Sequence, residues 1–167
     1  MKILGISGSL RATSSNAAIL RAARRLAPAG VEISVYEGMG GLPLFSPDLD
    51  VDPHPPEVQA LRDAIRGVDG LFVCSPEYAH GMPGALKNLL DWLVSAEEAL
   101  GKSAILLSAS PSGAAHAHAQ LAEVLRTMGF RLVDAGAHVF TRAALDATGE
   151  TADPEVLAAV ERALAAE

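Results

Sequence analysis

The stretch MKILGISGSLRATSSN, Met1 to Asn16, decides how the rest of the chain is read. Lys2 to Ile6 is a short apolar run of the kind that forms a buried strand. It breaks into a loop containing Ser7, Gly8, Ser9, Arg11, Thr13, Ser14, Ser15 and Asn16, and an Ala/Leu/Arg helical pattern follows at once. The first N–H groups of a helix have no partner within it, and its dipole favours negative charge at that end. Hydroxyls, an Asn amide and a guanidinium add donors that suit a phosphate. The stretch therefore predicts a site for a phosphorylated small molecule. Capping the helix would need only one of these residues. Neither a G-x-x-x-x-G-K-[ST] loop nor a G-x-G-x-x-G turn is present.

Further along the chain, apolar runs alternate with helical patterns. Strands are expected at about 2–7, 32–36, 70–75 and 103–108, with a fifth at 131–133 and its extension at 138–140. Helices are expected at about 16–26, 56–66, 84–95, 115–128 and 154–165, the second opening on Pro56, where a missing N–H costs nothing. This alternation predicts an α/β fold with a parallel sheet and helices on both faces. Leu71-Phe72-Val73-Cys74 and Ala104-Ile105-Leu106-Leu107 are continuous apolar runs, as strands buried on both faces require. Five strands in a chain of 167 residues suit a flavodoxin-like, doubly wound, five-stranded sheet of order 2-1-3-4-5. Its ligands sit beyond the carboxyl ends of the first and third strands. The segment 37–56 is long for a connection, and such loops are often functional.

Composition sets outer limits. The length fits one domain spanning 1–167, able to bury roughly 70% of its unfolded surface without staples. A net charge of −7 and a pI near 5.2 argue against nucleic acid as a partner. One cysteine excludes an internal disulfide and a cysteine-based zinc site. No leader is recognisable and no apolar run approaches the ~20 residues that span a bilayer, so a cytoplasmic protein without a membrane partner is expected.

The segments after the third and fourth strands meet the switch-point rule. Ser75-Pro76-Glu77-Tyr78-Ala79-His80-Gly81-Met82-Pro83-Gly84 is a stiff, shaped loop, and Ser108-Ala109-Ser110-Pro111-Ser112-Gly113 is a small polar one. One loop suited to a phosphate and two that frame a flat polar ring make a mononucleotide site, with FMN the natural occupant.

The same residues carry a resemblance. Gly8-Ser9-Leu10-Arg11-x-x-Ser14-x-Asn16 resembles the phosphate loop of the NADPH-dependent FMN reductases, which include quinone, azo and chromate reductases. Leu42-Pro43-Leu44-Phe45-Ser46-Pro47-Asp48-Leu49 is similar to a further loop of that family. Ser75-Pro76-Glu77-Tyr78, followed by the run Pro83 to Leu93, is similar to its central signature. The segments stand in the family's order over the whole chain. Ala79 departs from the family's usual Asn. Ala114-Ala115-His116 stands where the family has further glycines and an Arg.

The resemblance implies that Ser9, Arg11, Ser14, Ser15 and Asn16 hold the FMN phosphate. It implies that Pro76, Glu77 and Tyr78 frame the isoalloxazine, mostly through backbone groups, and that Ser110 and Gly113 lie near the ring edge. It further implies hydride transfer from NADPH or NADH to FMN, then electron transfer to a small acceptor such as a quinone or free flavin, by a homodimer or homotetramer. The cofactor carries that chemistry, so no side-chain nucleophile is needed. The alternatives are a flavodoxin-type FMN electron carrier, against which Arg11 argues, and a redox-silent flavin-binding protein.

Other reactive side chains read as ordinary. Cys74 is expected to be a small buried hydrophobe. His116 and His118, two apart on a helix, face different ways and do not make a metal site. His80 is either a substrate contact or a plain loop residue, and His54 is expected to be solvated. Leu86, Leu89, Leu90, Trp92 and Leu93 exceed one narrow helical face, which places Trp92 or Leu89 at a subunit contact.

Overall fold

The computed structural model describes residues 1–11 and 13–166. Strands β1 (Lys2–Ser7), β2 (Glu32–Val35), β3 (Gly70–Ser75), β4 (Ser103–Ser110) and β5 (Arg131–Val139) alternate with helices α1 (Ser15–Leu26), α2 (Pro56–Arg66), α3 (Gly84–Asp91), α4 (Ala115–Thr127) and α5 (Pro154–Ala165). The strands form one parallel sheet of order 2-1-3-4-5, the predicted doubly wound arrangement. No helix among the described residues is long and apolar enough to cross a membrane.

Strand side chains alternate between faces, and both faces are apolar. Leu71 and Val73 of β3 enter one core with Leu61 of α2, Leu89 of α3 and Leu125 of α4. Phe72 and Cys74 enter the other with Ile19 of α1 and Val160 of α5. The helix starts are locally encoded. Ser14 caps α1 by accepting the N–H groups of Asn16 (3.2 Å) and Ala17 (3.5 Å), and Asp153 caps α5 through Glu155 and Val156. Pro56 opens α2.

Three boundaries differ from the sequence reading. α3 ends at Asp91, and the chain continues in tighter three-residue turns, Leu93 N–H to Leu90 O and Ala96 N–H to Leu93 O. β5 is continuous through 134–137 because a bulge absorbs the interruption. Leu106 pairs with Asp134 but Leu107 with Gly136, so Ala135 is the extra residue, Gly136 takes φ +90°, and Asp134 accepts the Gly136 N–H at 2.9 Å. With β5 running on to Val139, β4 extends with it to Ser110.

The segment 37–56 is anchored to the body. It contains two short 3-10 turns, Gly38–Gly41 and Pro47–Leu49. Asn88 of α3 accepts the Phe45 N–H at 2.8 Å and donates to Pro43 O at 2.9 Å. The Trp92 indole N–H also reaches Pro43 O at 2.9 Å, and its ring meets Phe45 edge-on at 5.1 Å. Trp92 and Leu89 are therefore fully buried within the chain and do not form a subunit contact: the anchored segment supplies the cover that a partner was expected to give. His54 is likewise not solvated. Its side chain is 9% exposed and wedged between Asp50 and Asp52, while Asp50 also binds the buried Arg62 at 2.8 Å and Ser95 at 2.7 Å.

Candidate functional site

The parallel sheet delivers the loops after β1, β3 and β4 to one edge, where they enclose a cleft of about 210 Å3. Its walls are Ser9, Arg11 and Thr13 to Asn16 from the first loop, Pro76 to Tyr78 from the second, Ala109 to Pro111 from the end of β4, and Phe140 just past β5. Nine of the ten residues predicted for a cofactor line it. Gly113 does not. Its backbone takes φ +96°, and its N–H donates to Ser110 O at 3.1 Å. Thr13, Ala109, Pro111 and Phe140 are additional lining residues; Phe140 reaches the cleft only because the bulge keeps β5 running. A larger open groove lies along the outer strand β2, beside Arg21 and Arg24. It gathers none of the donors of the three converging loops.

Gly8 lets the first loop approach the second. A Cβ there would stand 2.9 Å from Ser75 Oγ and 3.1 Å from Leu86 Cδ2. Across the mouth, Ser9 Oγ and Tyr78 Oη come within 3.5 Å. Ser14 Oγ is spent as an acceptor on the α1 amides but keeps its own proton to donate. Arg11 is exposed and, among the described residues, has no carboxylate partner. The buried Asn16 carboxamide braces three elements: Nδ2 donates to Ala109 O and Oδ1 receives the Cys74 thiol, both at 3.2 Å. Burial pushes the Cys74 thiol up, which leaves it an unreactive structural group. This donor set fits a phosphate placed against the start of α1.

Glu77 does more than expected of a framing residue. Its Oε2 accepts the N–H groups of His116 (2.8 Å) and Ala117 (3.0 Å), capping α4 from a different loop. The Ala117 N–H foremost, then that of His116 and the imidazoles of His116 and His80, hold its carboxyl below the usual range against the opposing effect of desolvation. Just beyond, Tyr78 and Gly81 exchange both backbone hydrogen bonds at 2.9 Å, closing a tight turn over Ala79 and His80. The His80 ring stacks on His116, centroids 4.2 Å apart and planes 22° from parallel.

Sequence reasoning also missed a Ser–His–Asp chain. His118 Nδ1 lies 3.1 Å from Ser108 Oγ, and Nε2 lies 3.0 Å from Asp134 Oδ1. Ser108 is wholly buried in β4, so no substrate reaches its hydroxyl. The chain fastens α4 to β4 and to the β5 bulge.

The family model described as NADPH-dependent FMN reductase matches residues 1–144. The chain belongs to that family. An NAD(P)H-dependent FMN reductase of Pseudomonas aeruginosa is 41% identical over 122 residues, 72% of this chain and 65% of that protein. A quinone reductase of Escherichia coli strain K12 is 32% identical over 115 residues, 68% of this chain and 61% of that one. The matches thus span just under two thirds of the length of these curated relatives. Among solved structures, the flavoenzyme NAD(P)H:(acceptor) oxidoreductase FerB from Paracoccus denitrificans superposes with a TM-score of 0.84 at 27% identity, covering 98% of this chain and 95% of that one.

Within the NADPH-dependent FMN reductase family, the two departures of this chain acquire a structural meaning. Ala79 and Ala114 both adopt left-handed backbone, at φ +49° and +57°. Asn and Gly tolerate that conformation better than any residue with a plain Cβ. Asn at 79 or Gly at 114 would occupy that backbone with less strain.

Proposed function

We propose that this chain is a single FMN-binding domain that oxidises NADPH or NADH and passes the electrons to a small acceptor such as a quinone or free flavin. One observation carries the reading: a hydroxyl- and arginine-bearing loop at the start of α1 converges with two shaped loops at the switch point of the sheet. The names of the Pseudomonas and Escherichia relatives support it.

Ser9, Arg11, Ser14, Ser15 and the α1 amides around Asn16 bind the phosphate. Pro76, Glu77 and Tyr78 form one side of the ring site, with Glu77 holding that loop to α4, and Ser110, whose carbonyl accepts the Gly113 N–H, closes the far edge. Bound FMN supplies the two-electron exchange with the nicotinamide and the acceptor. The chain's own part is to bind, orient and shield. The reading includes a cytoplasmic homodimer or homotetramer, with the strongly exposed Leu44 and Val94 as apolar surface for self-association.

The test is an anaerobic absorption spectrum of the FMN-loaded protein before and after NADPH or NADH. Rapid bleaching of the visible flavin band is the expected result. FMN that binds but stays oxidised with both donors would turn the assignment to an electron carrier or a redox-silent flavoprotein. Arg11→Ala removes a charged donor from an exposed loop and is expected to weaken FMN binding by about tenfold or more, measured by flavin fluorescence.

A further inference from the structure

We propose that the stacked pair His80 and His116 selects the electron acceptor, binding the anionic oxygen of a planar aromatic acceptor at the rim of the cleft in preference to a neutral group. This inference rests on the reductase reading above.

Three observations meet here. The pair belongs to the two loops that frame the ring site. His80 is two residues past Tyr78, which lines the cleft, and His116 opens α4, where its N–H is held by Glu77, another lining residue. The pair is also built under strain. His80 takes φ +60° beside Ala79 at φ +49°, so both central residues of the turn are left-handed. Asn-Gly serves such a turn at little cost, whereas the plain Cβ of Ala79 does not. The strained backbone sets the ring flat against His116, and strained residues concentrate where the geometry serves function. Finally, both residues are exposed, so neither is held there by burial.

The chemistry follows from the imidazoles. A neutral ring donates one N–H; a protonated ring donates two and carries a charge. The groups facing the pair are the Glu77 carboxylate from the loop after β3 and the Gln120 amide, one turn further along α4. The Glu77 carboxylate is already engaged: its Oε2 accepts two amides at the positive end of α4, and both imidazoles act on it electrostatically. Gln120 accepts the Met82 N–H at 3.2 Å, which braces the turn from the other side. What remains free at the rim is a flat surface edged with N–H donors, complementary to a carboxylate or ionised hydroxyl on a planar ring.

Benzoate and benzamide, equal in shape and inert to reduction, separate charge from stacking. Calorimetry on the FMN-loaded protein is expected to show benzoate bound about tenfold more tightly than benzamide. In H80Q/H116Q the preference is lost. In turnover, that variant raises KM for 2-hydroxy-1,4-naphthoquinone, which is ionised at neutral pH, more than for 2-methyl-1,4-naphthoquinone. Equal affinities in the parent protein, or a preference that survives in the variant, would overturn the proposal. The bleaching experiment on the same samples keeps the two readings apart. Bleaching without anion preference removes only this inference, whereas no bleaching removes the reductase reading and leaves the calorimetry to decide on the anion site.

Discussion

At Ala79 the backbone is left-handed, and its side chain is exposed and buries nothing. The methyl group therefore contributes strain without compensating packing. Ala79→Gly is expected to raise the unfolding free energy by about 1 kcal/mol, read from urea denaturation. A neutral or destabilising result would mean that the turn is not strained at this position. Ala114 has the same backbone sign but is fully buried, so the corresponding change there also empties space. The sequence marked both positions as departures from a family pattern but carried no sign of φ, because a backbone angle is set by the hydrogen bonds that close the turn. His80 was legible as a loop residue; its stacking on His116 depends on two loops meeting in space.

Among the elements, α4 shows how a helix start can be invisible locally. Its N-cap position is Ala114, with no side-chain hydrogen bond. The cap comes from Glu77, 39 residues before the His116 whose N–H it accepts. Periodicity located the helix, but rules based on the preceding residues could not find its cap. The carboxyl binds its proton less tightly in the folded state than in the unfolded chain. Its contribution is therefore complete above the ordinary glutamate value of about 4.3 and is lost as pH falls through the lower folded value. Glu77→Gln is expected to lower the thermal midpoint at about pH 7, with the difference from the parent shrinking by about pH 3. A gap that does not change with pH would show that the carboxylate charge contributes nothing to the cap. The segment 37–56 was legible as unusual, yet its attachment was not. Asn88 and Trp92 reach Pro43 from more than forty positions away, and a helical stripe does not say whether its surplus apolar residues face a partner chain or a loop of the same chain.

For the whole molecule, the sheet topology was legible because β3 and β4 are apolar on both faces, a pattern that parallel sheets require and antiparallel ones seldom show. The cleft followed from topology, since order 2-1-3-4-5 brings the ends of β1 and β3 together. Phe140 was not legible as a cleft residue, because a bulge one residue long decides where β5 ends. Phe72 lies at the centre of this plan, fully buried between α1 and α5. Phe72→Ala is expected to cost about 3–5 kcal/mol of a total near 5–15, seen as a large fall in the urea midpoint. A change under about 1 kcal/mol would contradict a core packed to native density.

The sheet order also has a consequence for biosynthesis. β1 is an interior strand, but the neighbour that completes it is β3; even the Lys2 N–H finds its partner in Asp69, 67 residues later. While the ribosome is still making that partner, β1 and β2 can pair but must wait with one strand edge bare. Bare edges of this kind recruit other chains. A fold assembled from such distant pairings has a high contact order and forms slowly. Its most vulnerable period therefore falls during translation, before residues 70–75 have cleared the exit tunnel, and a chaperone that shields nascent strands would act on this protein then.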